Sequence, residues 1–160
     1  MDIDIIKANY HDPGQAGDIE YLLNCYASDA MGGGTALDKS VLKNIPIELS
    51  KRPYAFSLIA YVDGKAAGLV NCFEAFSTFK CKPLINIHDV IVIAEYRRIG
   101  LARRMLSKVE EIAKEKGCCK LTLEVLEGNQ TAQQLYRKQG FAGYELDPGT
   151  GKALFWQKLL

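Results

Sequence analysis

The chain has 160 residues, 48% hydrophobic and 24% charged, which suits one domain with its own apolar core and no need of disulfides. A formal net charge of +1 excludes the strongly basic balance of a general nucleic-acid binder. No apolar run approaches the roughly 18 residues of a membrane span. Met1-Asp2-Ile3-Asp4 carries acid where a secretory leader carries base, so a cytoplasmic, non-membrane protein is expected.

In chain order, alternation around Ile3 and Ile5 predicts a first strand. A helix is predicted over 17–30, with Ile19, Leu22, Leu23 and Tyr26 at helical spacing, and Met31-Gly32-Gly33-Gly34 breaks it. A second helix follows over 37–49. Residues 55–62 and 66–76 read as strands joined by an Asp63-Gly64 hairpin turn. Pro83 marks a break before an Ile- and Val-rich strand over 84–93. A long amphipathic helix over 98–116 buries Leu101, Met105, Val109 and Ile112 and is closed by Gly117. A strand over 120–126, a helix over 130–138 ending near Gly140, and two strands over 141–146 and 152–159 complete the chain. The expectation is a single α/β domain over 1–160, with a mixed, mostly antiparallel sheet of seven strands flanked by four helices.

Five cysteines (Cys25, Cys72, Cys81, Cys118, Cys119) include no CxxC pair, and His11 and His88 are the only histidines. Reduced thiols and no metal site are therefore expected.

The stretch Val90-Ile91-Val92-Ile93-Ala94-Glu95-Tyr96-Arg97-Arg98-Ile99-Gly100-Leu101-Ala102-Arg103-Arg104 leads from a strand through a basic turn into a long helix. The first backbone N–H groups of a helix lack internal partners and carry partial positive charge. Gly100 and Ala102 allow close approach, and Arg97, Arg98, Arg103 and Arg104 add charge-assisted donors, so the turn reads as an anion site. Neither the Gly-Lys-Ser/Thr phosphate loop nor GxGxxG after the first strand is present. Farther on, Asn129 is placed to cap a helix, and Asn129, Ala132 and Tyr136 share one of its faces.

Arg97-Arg98-Ile99-Gly100-Leu101-Ala102 resembles the Q/R-x-x-G-x-G/A signature of the GNAT superfamily of N-acetyltransferases. Asn129-Gln130-Thr131-Ala132-Gln133-Gln134-Leu135-Tyr136 through Gly140-Phe141 resembles the second signature, N-x-x-A-x-x-L-Y-x-x-x-G-F. The resemblance implies acetyl-CoA as cosubstrate and no metal. Its pantetheine arm would lie on the backbone of Val90, Ile91 and Val92, with the pyrophosphate on the turn carrying Arg98, Ile99, Gly100, Leu101, Ala102 and Arg103. It also implies that Asn129 touches the cofactor arm, that Tyr136 protonates the departing thiolate, and that the N–H near Val92 polarises the thioester carbonyl.

An amine is protonated at neutral pH, so a base is needed, and His88 and Asp89 are the candidates. Strict alternation puts His88 on the face of Val90 and Val92 and turns Asp89 the other way. The segment 84–102 is also similar to spermidine/spermine acetyltransferases, but His88 stands where they carry Glu, which argues against a polyamine acceptor. In this fold the amine site draws on the first two helices, their loop and the middle hairpin, here Tyr26, Asp29, Gly33, Glu74, Ser77 and Thr78. The expected acceptor is the primary amine of a small molecule; a peptide acceptor, or acetyl-CoA binding without catalysis, are the alternatives. The apolar Ala153-Leu154-Phe155-Trp156 reads either as a strand edge for homodimer pairing or as a central strand.

Overall fold

A computed structural model describes residues Met1–Leu160. Two compact units follow one another, residues 1–123 and 124–160. The first holds one sheet of five strands in the order β1-β2-β3-β4-β5. Its elements are β1 (Ile3–Lys7), α1 (Pro13–Ser28), α2 (Lys39–Ser50), β2 (Ala55–Val62), β3 (Lys65–Ser77), β4 (Lys82–Val92), α3 (Leu101–Glu115) and β5 (Leu121–Leu123). The first four strands are antiparallel neighbours, and β5 joins β4 in parallel after the α3 crossover. A parallel neighbour needs such a crossover, because a short hairpin reverses the chain.

Local chemistry sets most boundaries. Asp12 caps α1 by accepting from the Gln15 N–H, and Pro13 occupies the first turn, so the helix starts four residues ahead of the apolar periodicity. Pro83 does not break the hairpin: it lies inside β4 opposite Phe76. The α3 helix begins at Leu101 rather than 98, because Arg98 and Gly100 take positive φ of 70° and 83°.

One face of the sheet presents Ile59, Leu69 and Ile91 to Ile19, Leu22 and Leu23 of α1. On the other face α3 packs with Leu101, Met105, Leu106, Val109 and Ala113 buried. Gly68 in β3 leaves room for Met105: a Cβ there would stand 2.8 Å from the Met105 Cε. Each large side chain buried this way contributes about 1.5–3 kcal/mol.

The second unit carries α4 (Gln130–Lys138), capped by the Asn129 side chain on the Ala132 N–H. The two strands expected over 141–146 and 152–159 do not form; the only pairing there is a single bridge between Glu145 and Lys152. The sheet therefore has five strands, not seven. A strand is stable only with a paired edge and a buried face, and this segment lacks burial: Trp156 is 84% exposed, beside equally open Leu154 and Phe155. Ala153-Leu154-Phe155-Trp156 is accordingly neither an edge nor a central strand.

Candidate active site

The site strand is β4, and its defining feature is a bulge. Asn71 of β3 pairs with Asp89, but the next residue, Cys72, pairs with Ile87. His88 is therefore an extra residue in β4, and the alternation of faces changes there. Asp89 turns to the α1 face, where its Oδ2 accepts from Asn71 Nδ2 at 2.9 Å. His88 sits on that face too, its ring edge-on to Phe73 at 5.4 Å between centroids. Val90 pairs with Val70 and turns to the α3 face. The alternation expected from sequence, with His88 beside Val90 and Asp89 opposite, is thus corrected, because strict period-2 counting fails across an inserted residue.

The β5 strand covers β4 only at Ile85, Asn86 and Ile87. Beyond the bulge, Asp89, Val90, Ile91 and Val92 pair with β3 on one edge and with no strand on the other. Backbone amide and carbonyl groups on such an edge suit an extended ligand that carries amides of its own. The strand then runs into the turn before α3. Asp12, Asp38 and Asn129 cap the other three α-helices, whereas Gly100 opens α3 with no side-chain cap and no acid in the first turn. Its first N–H groups are left for an anion. Arg98, Arg103 and Arg104 stand exposed around it, with no acidic partner within 4 Å. Leu101 is buried and anchors the first turn, while Ile99, Gly100 and Ala102 are half-buried. Such a cradle fits a pyrophosphate, and the open β4 edge fits the pantetheine amides that precede it in coenzyme A.

Arg97 is placed differently. Its Nε donates to the Val92 carbonyl at 3.1 Å, and its Nη2 meets Asp29 Oδ2 at 2.8 Å. It ties the turn to the end of α1. Asp29 also accepts from the Met31 N–H, and the guanidinium, followed by that N–H, holds its carboxyl below the usual range. Tyr26, half-buried near the end of α1, is pushed up by burial and then by the charges of Asp89 and Asp29.

The remaining expected acceptor residues do not converge. Glu74 is on the α3 face, where it pairs with Lys116 at 2.9 Å, because β3 alternates away from Phe73. Ser77 accepts from the Lys80 N–H at 3.3 Å in the turn after β3, and Thr78 is exposed in the same turn. Gly33 is left-handed at φ 114°, with open space where a Cβ would be. In the second unit Tyr136 is half-buried with its ring edge-on to Phe141 at 5.9 Å, and Asn129 commits its side-chain oxygen to the helix cap.

Three residues escaped the sequence reading: Tyr10, Ser57 and Asn71, which form a hydrogen-bonded row ending on Asp89. The signal that could have found them was a lone Asn in Gly68-Leu69-Val70-Asn71-Cys72-Phe73 and a lone Ser in Ala55-Phe56-Ser57-Leu58-Ile59, polar side chains inside central apolar strands.

Residues 20–141 match the acetyltransferase (GNAT) family. A putative ribosomal protein bS18-alanine N-acetyltransferase of Bacillus subtilis is 30% identical over 115 residues, 68% of this chain and 72% of that protein. The thialysine N-epsilon-acetyltransferase of Bos taurus is 39% identical over 68 residues, 42% of this chain, and that of Caenorhabditis elegans 35% over 78 residues, 49% of this chain. The matched stretch spans only 39% and 48% of those two relatives. Among solved structures, a probable acetyltransferase superposes with TM-score 0.81 at 19% identity over 98% of both chains. An aminoglycoside N-acetyltransferase in complex with CoA superposes with TM-score 0.74 at 18% identity, over 98% of this chain and 95% of that one. At these identities the structures share the fold.

Proposed function

Because this chain belongs to the acetyltransferase (GNAT) family, we propose that it moves an acetyl group from acetyl-CoA to a primary amine of a small molecule, by direct attack with both substrates bound. The observation that carries this reading is the β4 edge left open beyond the bulge, running straight into the uncapped, arginine-flanked start of α3. Acetyl-CoA supplies an acetyl thioester, a carbonyl already activated toward amines.

In this reading Val90, Ile91 and Val92 hold the pantetheine amides, and a backbone N–H near Val92 polarises the carbonyl. The turn over 98–103 takes the pyrophosphate through its N–H groups and the Arg98 and Arg103 side chains. Arg97, committed to Asp29 and the Val92 carbonyl, shapes the turn rather than binding phosphate. Tyr136 and Asn129 take their roles from the second signature: Tyr136 gives its proton to the leaving thiolate, and Asn129 offers its side-chain amide to the cofactor arm. The base is one of the two bulge residues, His88 or Asp89. The family match runs through the boundary between the two units, which supports reading 1–160 as one catalytic domain.

A small-molecule acceptor is supported by the relatives named for thialysine and for aminoglycosides. A second reading, acetylation of a protein N-terminal amine, is favoured by the Bacillus subtilis relative that covers two thirds of the chain. The test is free-thiol release from acetyl-CoA with polyamines, amino acids, aminoglycosides and short peptides. Turnover of a small amine, reduced about 10²- to 10⁴-fold in Tyr136→Phe, is the expected result. Turnover of peptides alone selects the second reading. Tight acetyl-CoA binding with silence on every acceptor overturns both and leaves a binding module.

A further inference from the structure

Ser57 and Asn71 are the only buried polar residues in the chain, 0% and 3% exposed. They lie side by side on β2 and β3, and Asp89 is next in the same row on β4. Hydrogen bonds join them to Tyr10: Tyr10 to Ser57 at 2.8 Å, Ser57 Oγ to Asn71 Oδ1 at 2.6 Å, and Asn71 Nδ2 to Asp89 Oδ2 at 2.9 Å. The direction of this chain is determined by its last member. An ionised carboxylate only accepts, so the Asn71 amide presents its nitrogen to Asp89 and its oxygen to Ser57. Ser57 must then donate to Asn71 and accept from Tyr10. Every donor in the row points toward one carboxylate.

Neighbours on the same strands (Leu58, Ile59, Leu69, Val70) are fully buried and apolar. An apolar side chain at 57 or 71 would suit the sheet as well, and a buried polar row is tolerable only when every member is satisfied. This one is satisfied, with no buried side-chain polar atom left unpartnered. It terminates at the bulge, where a half-buried carboxylate keeps its other oxygen free of protein hydrogen bonds. His88, beside it, is exposed and makes only a ring contact with Phe73, so nothing orients its nitrogens.

We propose that Asn71, backed by Ser57 and Tyr10, is a positioning residue that holds Asp89 as the base for the incoming amine. The inference rests on the acetyltransferase reading above. Asp89 Oδ1, the oxygen Asn71 does not hold, takes a proton from the incoming ammonium, and the freed nitrogen lone pair then bonds to the acetyl carbon. The carbon–sulfur bond breaks and the sulfur leaves with the electron pair; the second proton lost by the nitrogen balances the one that makes the sulfur a thiol, and Asp89 later releases the first to water. The other titratable groups near Asp89 are Tyr26 from α1 and His88 on β4 itself, with Cys72 behind the sheet on the α3 face of β3.

Two readouts separate the positioning role from the chemistry: the ¹³C chemical shift of the Asp89 carboxyl in the free protein near neutral pH, and steady-state kinetics with the best amine. In Asn71→Leu the Asp89 carboxyl loses the hydrogen bond that fixes its Oδ2, so its ¹³C resonance should move away from the wild-type position. With that change kcat should fall about 10-fold or more, and the KM for acetyl-CoA should not change. Tyr10→Phe, two hydrogen bonds farther away, should give the same changes at smaller size and makes the test if Asn71→Leu does not fold. An Asp89 carboxyl resonance at the wild-type position in both variants would overturn the positioning chain. So would full kcat in Asp89→Asn. Wild-type protein that acetylates no amine would instead sink the acetyltransferase reading, whatever the carboxyl resonance shows.

Discussion

Gly32 offers the sharpest structural test, because a single methyl group there meets backbone rather than a yielding side chain. The chain leaves α1 at Ser28 and turns through a short 3-10 segment, Ala30–Gly32, capped by Asp29. The Gly32 N–H donates to the Asp29 carbonyl at 2.9 Å, and the Thr35 N–H returns to the Ala27 carbonyl at 3.0 Å. A Cβ on Gly32 would stand 1.9 Å from the Tyr26 carbonyl oxygen, 2.6 Å from its carbon and 3.2 Å from the Ala27 Cα. Reaching ordinary contact requires the turn to retreat by roughly 1.5 Å, while α1 stays anchored by buried Leu23 and Ala27. Overpacking of this kind costs about 1–3 kcal/mol. At about 2–4 °C per kcal/mol for a chain of this size, Gly32→Ala should lower Tm by roughly 6 °C. Gly17 is the internal control: it lies within α1, a Cβ there would meet nothing within 4 Å, and its φ is not positive. Gly17→Ala should raise stability by about 0.5–1 kcal/mol, or about 2–3 °C. Differential scanning calorimetry measures both. Since the clash falls on Tyr26, whose ring lies near Asp89, the KM for the amine should also rise in Gly32→Ala while acetyl-CoA affinity holds. A Gly32→Ala variant that melts at or above wild type would refute the steric argument.

Arg98→Ala and Arg103→Ala should each weaken acetyl-CoA binding about 10-fold by calorimetric titration, as expected for loss of a charge-assisted hydrogen bond. Lys108→Ala, farther along α3 and paired with Glu111, should not, and equal loss at all three positions would point to bulk charge rather than a local phosphate site. Arg97→Ala should cost less than about 1 kcal/mol near neutral pH, because its ion pair with Asp29 is largely open to solvent. Asp29 titrates low in the folded state, so its contribution is present above its unfolded value of about 3.9 and is lost as the pH falls through the lower folded value. The stability gap between wild type and Arg97→Ala in urea should therefore be widest near pH 7 and close toward pH 3; a gap constant across that range would rule out the pairing.

Local chemistry was legible in the residues themselves. The hairpin strand Ala55–Val62 and the helix Gln130–Lys138 have the bounds that alternation, the Asp63-Gly64 turn and the Asn129 cap predict. The basic turn before α3 and the Tyr136 helix carried the family resemblance, and residues 20–141 match that family. These features depend on neighbours within one or two turns of chain, which is why a single sequence displays them.

What the sequence could not display depends on pairing across distance. The bulge at His88 exists only in the register between β3 and β4, yet it decides that His88 and Asp89 share a face. The same register aligns Ser57, Asn71 and Asp89 across three strands, and turns Glu74 away to Lys116. Arg97 found Asp29 across 68 positions of chain, a pairing that their charges alone did not reveal. The segment after 140 has a strand-like pattern and no ladder, since alternation states a preference that only a partner edge can realise. Periodicity is a property of one segment; register, bulges and ion pairs are properties of two, and the chemistry proposed for β4 depends on the second kind.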